Sequence, residues 1–154
     1  MTINYLLRDV EDGDIEWLCG LNDESYRDVI IRQFGNWDED FQRQWFNKKW
    51  DRNRPAKIVL VGSKPIGVIV LEQKDDHDWL DEILIKADYS GRGIGTSLIQ
   101  DLIADARARN RRLRLRVLTE NHDAKRLYER FGFEVLETLE QHYLMELDPA
   151  VTDR

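Results

Sequence analysis

The sequence predicts a mixed α/β fold in which a mostly antiparallel sheet of about six to seven strands packs against about four helices. Short runs rich in β-branched residues are separated by turn residues, and segments with apolar residues at helical spacing alternate with them. The predicted order of elements is β-α-α-β-β-β-α-β-α-β-β. No internal repeat or low-complexity segment divides the 154 residues, so residues 1–148 are expected to form a single domain and 149–154 a tail.

The first part of the chain is predicted to hold one strand and two helices. Residues 3–8 resemble a short strand, and residues 12–21 a helix with early acidic residues. A second helix is predicted over residues 36–50, with Asn36 or Asp38 as its N-cap. The aromatic residues at helical spacing in this helix either pack in the core or line a substrate pocket: Trp37, Phe41, Trp45 and Phe46.

The remainder is predicted to complete the sheet. Residues 57–61 and 66–71 form a hairpin around the turn 62–65, and a third strand covers 79–85. Two further helices and three further strands are predicted from the periodicity of the apolar residues. The helices span 96–110 and 123–130, and the strands span 113–117, 133–137 and 142–147.

Composition excludes several classes of protein. The net charge of −7 argues against a broad nucleic-acid surface, because phosphate binding requires clustered positive charge. No apolar run reaches the ~18 residues of a membrane-spanning helix, and the first residues lack the pattern of a secretory signal. We therefore expect a soluble, cytoplasmic protein without nucleic-acid or membrane partners.

Neither cysteine nor histidine chemistry is indicated. Cys19 cannot form an internal disulfide and lies in an apolar helical pattern, which favours a buried residue over a nucleophile. His77, His122 and His142 lack the short spacings of many metal sites. No metal site is predicted.

A glycine-rich turn carries the most informative pattern. The segment Ser90-Gly-Arg-Gly-Ile-Gly-Thr96 joins a predicted strand to a predicted helix. Glycines 91, 93 and 95 can adopt unusual backbone angles and let an anion approach the peptide N–H groups. The helix dipole and Arg92 add positive potential. A phosphate or pyrophosphate is the expected ligand, with a merely tight turn as the alternative.

Two other phosphate motifs fit this turn poorly. A P-loop requires Gly-Lys-Ser/Thr, whereas Thr96 directly follows Gly95. A dinucleotide fingerprint requires a third glycine or alanine where Thr96 stands, and it expects a parallel unit rather than a preceding hairpin.

Two blocks resemble the GNAT superfamily of acyl-CoA N-acyltransferases, over most of the chain from Ile58 to Leu147. The turn matches the family loop Arg/Gln-x-x-Gly-x-Gly/Ala except at Ser90. The family block Asn-x-x-Ala-x-x-x-Tyr-x-x-x-Gly-Phe appears with full spacing at Asn121, Ala124, Tyr128, Gly132 and Phe133. The departure at Ser90 removes one side chain that shapes the family's pyrophosphate loop and leaves the backbone unchanged.

The resemblance implies acetyl-CoA as co-substrate, held where a parallel pair of strands splays apart near Ile83–Ile85 and Leu115–Val117. Pantetheine amides would pair with the free edge of the first of these strands, as extended chains do at sheet edges. The implied cofactor-binding residues are Ile83, Leu84, Ile85, Ser90, Gly91, Arg92, Gly93, Ile94, Gly95, Thr96, Asn121, Ala124 and Tyr128. A backbone N–H near Leu84 or Ile85 would meet the oxyanion.

Three side chains are candidates for catalysis. Tyr128 stands at the family's general-acid position, although packing with Leu127 and Phe131 is an alternative reading. Asp81 and Glu82 are candidate bases on opposite faces of one strand, since side chains alternate. The resemblance favours Asp81. For both carboxylates, one alternative is that they only face solvent at the edge of the strand. The other is that the amine loses its proton through water, without a protein base.

The predicted function is therefore transfer of acetyl from acetyl-CoA to a primary amine of a small molecule by direct attack. A non-catalytic acyl-CoA binding module, a protein or peptide N-acetyltransferase and a nucleotide-phosphate enzyme are alternatives, and a homodimer is open. Acidic residues in the first part favour a cationic acceptor such as a polyamine, unless they only face solvent: Asp23, Glu24, Asp38, Glu39 and Asp40.

Overall fold

A computed structural model describes residues 4–51 and 53–150. Its strands are β1 (Leu6–Asp9), β2 (Ala56–Val61), β3 (Lys64–Gln73), β4 (His77–Ile85), β5 (Arg112–Leu118), β6 (Glu134–Thr138) and β7 (His142–Leu147). Its helices are α1 (Ile15–Phe34), α2 (Glu39–Lys49), α3 (Ile94–Ala108) and α4 (His122–Arg130). The order of elements agrees with the order predicted from the sequence.

The strands form one seven-stranded sheet with the order β1-β2-β3-β4-β5-β7-β6. Strand β2 pairs antiparallel with β1 and β3, and β7 pairs antiparallel with β5 and β6. Strands β4 and β5 are parallel, with a ladder that ends at Trp79 opposite Arg114 although β4 continues to Ile85 and β5 to Leu118. The predicted mixed sheet with one splayed parallel pair is confirmed.

The chain divides into two compact units. The first unit comprises Met1–Val70 and Glu82–Gly95, and the second comprises Leu71–Asp81 and Thr96–Arg154. The expectation of a single domain stays a prediction, and each unit is described by itself.

The first unit is built around the face that β2, β3 and Leu84 share with α1 and α2. Its buried core consists of Leu18, Cys19, Leu21, Phe46, Ala56, Ile58, Val68, Val70 and Leu84. Glycine is required in the middle of β3, because a Cβ atom at Gly67 would overlap the carbonyl oxygen of Leu84. The backbone N–H of Lys86 donates to the carbonyl of Ile66 over 2.7 Å, so the end of β4 is held beside β3.

The second unit buries alternate residues of its strands. On β5, Leu113, Leu115 and Val117 are buried, while the arginines between them are partly or fully exposed. Met145 and Leu147 of β7 are buried in the same way. This period-2 pattern is the one that predicted a half-buried strand.

Several helix boundaries differ from the prediction: α1 begins at Ile15 rather than residue 12, α2 at Glu39 rather than residue 36, and α3 ends at Ala108 rather than residue 110. Helix α1 continues to Phe34 rather than ending near residue 21, because Leu18, Asn22 and Val29 keep a buried stripe along one side. It ends at Gly35, which has φ 91° and caps the helix in the left-handed conformation. Helix α3 begins at Ile94 rather than Thr96, so Gly95 lies inside its first turn.

Smaller boundary errors concern the ends of strands. Strand β1 begins at Leu6, and the residues before Asn4 lie outside the described part of the chain, as does most of the predicted tail. Phe133 precedes β6 rather than opening it, and it is buried.

The aromatic residues near α2 have different environments. Phe46 is fully buried and belongs to the core, as one interpretation predicted, whereas Phe41 and Trp45 are 59% and 54% exposed. Trp37 precedes the helix and lies beneath the guanidinium of Arg27. The cap is Asp38, whose carboxylate accepts the N–H of Phe41.

Candidate active site

The glycine turn between β4 and α3 adopts the geometry that its composition predicts. Gly91 and Gly93 have φ angles of 76° and 83°, a region that other residues enter only with strain. A Cβ atom at either position would meet no protein atom within 4 Å, so the backbone of the turn faces open space. Arg92 stacks over the ring of Tyr89 at 4.9 Å. The turn therefore presents accessible backbone and a cation at the beginning of a helix.

The first turn of α3 lies beside the end of β4. A Cβ atom at Gly95 would meet the Cγ1 atom of Ile85 at 4.0 Å, an ordinary contact distance. Ile83 and Ile85 are half-buried, whereas Leu84 points to the other face of the strand and is 7% exposed. Two of the predicted cofactor residues, Ile85 and Gly95, are thus neighbours within the first unit.

The two candidate bases have opposite environments. Asp81, in the second unit, is exposed and accepts a hydrogen bond from Nε1 of Trp79 over 3.4 Å. Glu82, in the first unit, is 6% exposed and shares the buried face of β4 with Leu80 and Leu84. Their opposite orientations follow from the alternation of side chains along the strand.

Glu82 is held by a group of polar side chains that we call the Glu82 cluster: Asn22, Tyr26, Lys49, Arg54 and Glu82. Its Oε1 atom accepts hydrogen bonds from the hydroxyl of Tyr26 over 3.0 Å and the ammonium of Lys49 over 2.6 Å. Its Oε2 atom lies 3.0 Å from Nη1 of Arg54. Oε1 is therefore hydrogen-bonded to two donors, and Oε2 is ion-paired with a guanidinium without a hydrogen bond of good geometry. The three neighbouring donors and charges leave Glu82 poorly placed to accept a proton from a substrate.

Asn121 and Ala124 form the beginning of α4 in the second unit. Asn121 is the N-cap of this helix, and its Oδ1 atom accepts the backbone N–H of Ala124 over 3.3 Å. The amide oxygen of Asn121 therefore has a structural role, which leaves the amide nitrogen as the group suited to a ligand.

Tyr128 lies on α4 with its ring against Phe133, at 5.4 Å between centroids and an edge-on angle of 67°. Phe133 is its ring partner, and the alternative of packing with Leu127 and Phe131 stays a prediction. Burial raises the pKa of the Tyr128 phenol to about 12, because removal of water disfavours the phenolate. Near neutral pH the phenol is protonated, which is the state that a proton donor requires.

The cysteine and the histidines show no sign of a reactive or metal-binding role. Cys19 is buried, and burial raises the pKa of its thiol above the usual value. Among residues 4–51 and 53–150, no cluster of histidine, cysteine, aspartate or glutamate is suited to a metal ion. Within the same residues, no helix is long and apolar enough to cross a membrane.

Comparison with known protein families places these features in context. The model of the acetyltransferase (GNAT) family matches residues 21–133, which include the glycine turn, β4 and α4. The chain belongs to the acetyltransferase (GNAT) family. The resemblance drawn from the two sequence blocks is confirmed.

Individual relatives agree with this assignment. An uncharacterized N-acetyltransferase of Methanocaldococcus jannaschii is 31% identical over 146 residues, covering 88% of this chain and 63% of the relative. The chain spans between 43% and 63% of the length of the curated relatives it matches.

Solved GNAT structures share the fold. A PaiA N-acetyltransferase of Thermoplasma acidophilum in complex with coenzyme A has a TM-score of 0.76 at 20% identity, covering 94% of this chain and 99% of that one. The ribosomal-protein-S18-alanine N-acetyltransferase of Escherichia coli has a TM-score of 0.63 at 19% identity, covering 97% of both chains. At these identities the similarity establishes the fold and leaves the acceptor open.

Sequence reasoning missed the partners of Glu82. Tyr26, Lys49 and Arg54 lie far from Glu82 in the sequence and match no GNAT block, so no local signal indicated that they meet its carboxylate. The period-2 pattern of β4 indicated only that Asp81 and Glu82 face opposite ways.

Proposed function

We propose that this chain transfers an acetyl group from acetyl-CoA to a primary amine of a small molecule by direct attack. The observation that carries the proposal is the turn at Ser90–Gly95, where two glycines with positive φ present open backbone before α3 within a GNAT fold. Such backbone suits a pyrophosphate, which coenzyme A contains and a simple acyl donor lacks. The PaiA enzyme, which shares the fold, was crystallised with coenzyme A.

The proposed roles follow the environment of each residue. The backbone of Ser90–Thr96 and the Arg92 side chain bind the pyrophosphate, and the edge of β4 at Ile83–Ile85 binds pantetheine amides. Asn121 offers its amide nitrogen to the pantetheine, beside Ala124. A backbone N–H near Leu84 or Ile85 stabilises the oxyanion.

In the proposed reaction, the neutral amine attacks the thioester carbonyl carbon and forms a tetrahedral intermediate. The carbon–sulfur bond then breaks, and Tyr128 donates its phenolic proton to the departing thiolate. The proton lost by the amine goes to Asp81 or to water. Glu82 is the weaker candidate for this proton, because Lys49, Tyr26 and Arg54 engage its oxygens.

A non-catalytic acyl-CoA binding module is a weaker proposal. Tyr128 at the position of the family's general acid favours an enzyme, because a binding module requires no proton donor beside the sulfur. A peptide acceptor rests only on the fold that the chain shares with a ribosomal-protein acetyltransferase.

Thiol release from acetyl-CoA in the presence of a broad amine panel tests the proposal. We expect release that depends on both the amine and the enzyme, with the acetylated amine identified by mass. Calorimetry with coenzyme A, ATP and NAD, performed side by side, separates the acyl-CoA function from a nucleotide-phosphate function. Binding of coenzyme A without thiol release for any acceptor would support the binding module instead.

A further inference from the structure

The Glu82 cluster joins three parts of the first unit. Asn22 and Tyr26 come from α1, Lys49 ends α2, and Glu82 lies on β4. Glu82 and Leu84 point to the same face of β4 and are about 7 Å apart along the strand, given the ~3.3 Å rise per residue. The cluster therefore lies beside the part of β4 that we propose for the oxyanion and the pantetheine.

Lys49 is the accessible cation of this cluster. Its ammonium donates to Oε1 of Glu82 over 2.6 Å and to Oδ1 of Asn22 over 3.0 Å, and it lies 5.3 Å from the ring centroid of Tyr26. A lysine ammonium has three N–H donors, so one remains for a further acceptor atom. The Lys49 side chain is 19% exposed, whereas the Glu82 side chain is 4% exposed.

The buried carboxylate of Asp78 offers a comparison with Glu82, because its contacts serve only to hold the fold together. Asp78 in the second unit pairs with Arg109 and Arg111. Arg109 also binds Asp105, and Arg111 donates to backbone carbonyls of the segment before β4. These arginines thereby tie the end of α3 to that segment. Lys49 makes no comparable backbone contact among the described residues.

Two of the five acidic residues named for a cationic acceptor, Asp38 and Glu39, have local partners, as does Glu16. Asp38 caps α2, Glu39 pairs with Arg27, and Glu16 pairs with Arg43. These contacts weaken the expectation that acidic side chains here bind a cationic acceptor. Among the described residues of the first unit, the side-chain cations that pair with Glu82 on β4 are Lys49 and Arg54, and Lys49 is the more exposed of the two.

We propose that Lys49 binds a carboxylate of the acceptor, so that the acceptor is an amine that also carries a carboxylate, such as an amino acid. This inference rests on the proposed acetyltransferase function and names its substrate class. Glu82 and Asn22 position the ammonium, and the third N–H donates to the carboxylate of the acceptor as a charge-assisted hydrogen bond. The acceptor amine then faces the part of β4 around Leu84.

Matched acceptor pairs test the proposal: free amino acids and their C-terminal amides, together with a diamine. Because amidation removes the carboxylate charge and also lowers the pKa of the α-amine, rates are compared per neutral amine. For the wild-type enzyme we expect kcat/KM for the acid to exceed that for the amide by about tenfold or more, the usual effect of one charge-assisted hydrogen bond. Equal or better use of the amide or the diamine would overturn the proposal.

The variant Lys49→Met should lower kcat/KM for the acid by about tenfold and for the amide by less than about threefold. Lys49→Arg should retain part of the wild-type preference for the acid over the amide, because arginine keeps the positive charge. Lys48→Met is the matched control, because Lys48 is its exposed neighbour on α2 and should leave both acceptors unaffected. An equal loss for acid and amide in Lys49→Met would overturn the proposal.

The possible failures are distinguishable. Release of thiol with amides or diamines but not with acids overturns this inference and leaves the acetyltransferase function intact. No release with any amine overturns both. If Lys49→Met does not fold, the wild-type comparison of acids with amides decides by itself.

Discussion

At the scale of single residues, the proposed proton donor Tyr128 offers the clearest test. Tyr128→Phe keeps the ring that packs on Phe133 and removes only the hydroxyl. We expect kcat to fall by about 10²-fold, within the range for acid–base groups, while the affinity for acetyl-CoA changes little. Steady-state kinetics and calorimetry measure the two quantities. A fully active variant would show that the phenol only packs.

The pKa of Tyr128 sets the pH range of this effect. Because burial raises the pKa of the phenol to about 12 from 10.0, the folded protein keeps the proton where an unfolded chain begins to lose it. The stability contributed by the neutral phenol is therefore complete below about pH 10 and is lost as the pH rises towards 12. Below pH 10, ionisation of Tyr128 should impose no alkaline decline on kcat.

The candidate bases give a second prediction at this scale. Asp81→Asn should lower kcat/KM by about 10²-fold and flatten the rise of the rate with pH. Since Asp81 is exposed, the stability of this variant should stay within about 0.5 kcal/mol of wild type. Glu82→Gln should keep the pH profile.

Stability separates these two variants. Glu82→Gln leaves the buried Arg54 and the partly exposed Lys49 without their shared carboxylate, which should cost about 3–5 kcal/mol of unfolding free energy. Denaturant titrations measure this cost, and the kinetics are then recorded where both variants are folded. If both variants keep the wild-type pH profile, neither carboxylate is the base and the amine loses its proton to water.

The positions of the candidate site residues were predictable from the sequence where one local stretch of chain determines them. The three glycines and the block from Asn121 to Phe133 have spacings that one stretch of chain determines, and the structure places them at a turn and a helix cap accordingly. Glu82 was predictable as a position on β4 but not as a buried ion pair. Its partners lie 33 and 56 residues away, and sequence periodicity carries no information on such contacts.

At the scale of elements, the turn and α3 act together. Gly95 lies inside the helix, so Gly95→Ala should be neutral or stabilise the fold by up to about 1 kcal/mol. The same Cβ atom should obstruct a pyrophosphate and weaken binding of coenzyme A by at least about tenfold, or roughly 1.4 kcal/mol. Calorimetry and thermal unfolding on one preparation measure both effects.

A matched control exists on another helix. Gly20 in α1 also has open space where its Cβ atom would be, and Gly20→Ala should leave coenzyme A affinity unchanged. Gly93→Ala differs from both, because its φ of 83° should add about 1–2 kcal/mol of strain. Unaltered affinity in folded Gly95→Ala would remove the proposed pyrophosphate site.

The lengths of elements were predictable where an unambiguous breaker stands at the boundary. Gly62 and Ser63 marked the turn of the β2–β3 hairpin, and Gly132 closed α4. Strand β3 is longer than predicted, because it covers Lys64–Gln73 rather than residues 66–71. The length of α1 was underestimated, because most residues after Leu21 are polar although the buried side of the helix continues through Asn22 to Val29. A polar residue such as Asn22 is buried only because Lys49 satisfies its amide oxygen, and this contact is invisible in the local sequence.

At the scale of the whole molecule, the sequence predicts one domain, and unfolding experiments can test this. The boundaries between the two compact units fall within β3 after Val70, within β4 after Asp81 and within α3 after Gly95. Domain boundaries ordinarily fall in exposed linkers where regular structure has ended. The boundaries between these two units instead lie inside three regular elements, as expected if both units belong to one cooperative domain.

We therefore expect a single unfolding transition, with equal calorimetric and van't Hoff enthalpies. Coenzyme A at about one hundred times its dissociation constant should stabilise that transition as a whole, by about 2.7 kcal/mol. Fluorescence of the tryptophans reports on both units, because Trp17 and Trp50 belong to the first and Trp79 to the second. For each Trp→Phe variant, the midpoint of unfolding followed by fluorescence should equal the midpoint measured for the same variant by calorimetry. Two transitions, of which coenzyme A shifts only one, would instead mean that the units unfold independently and that the one-domain prediction is wrong.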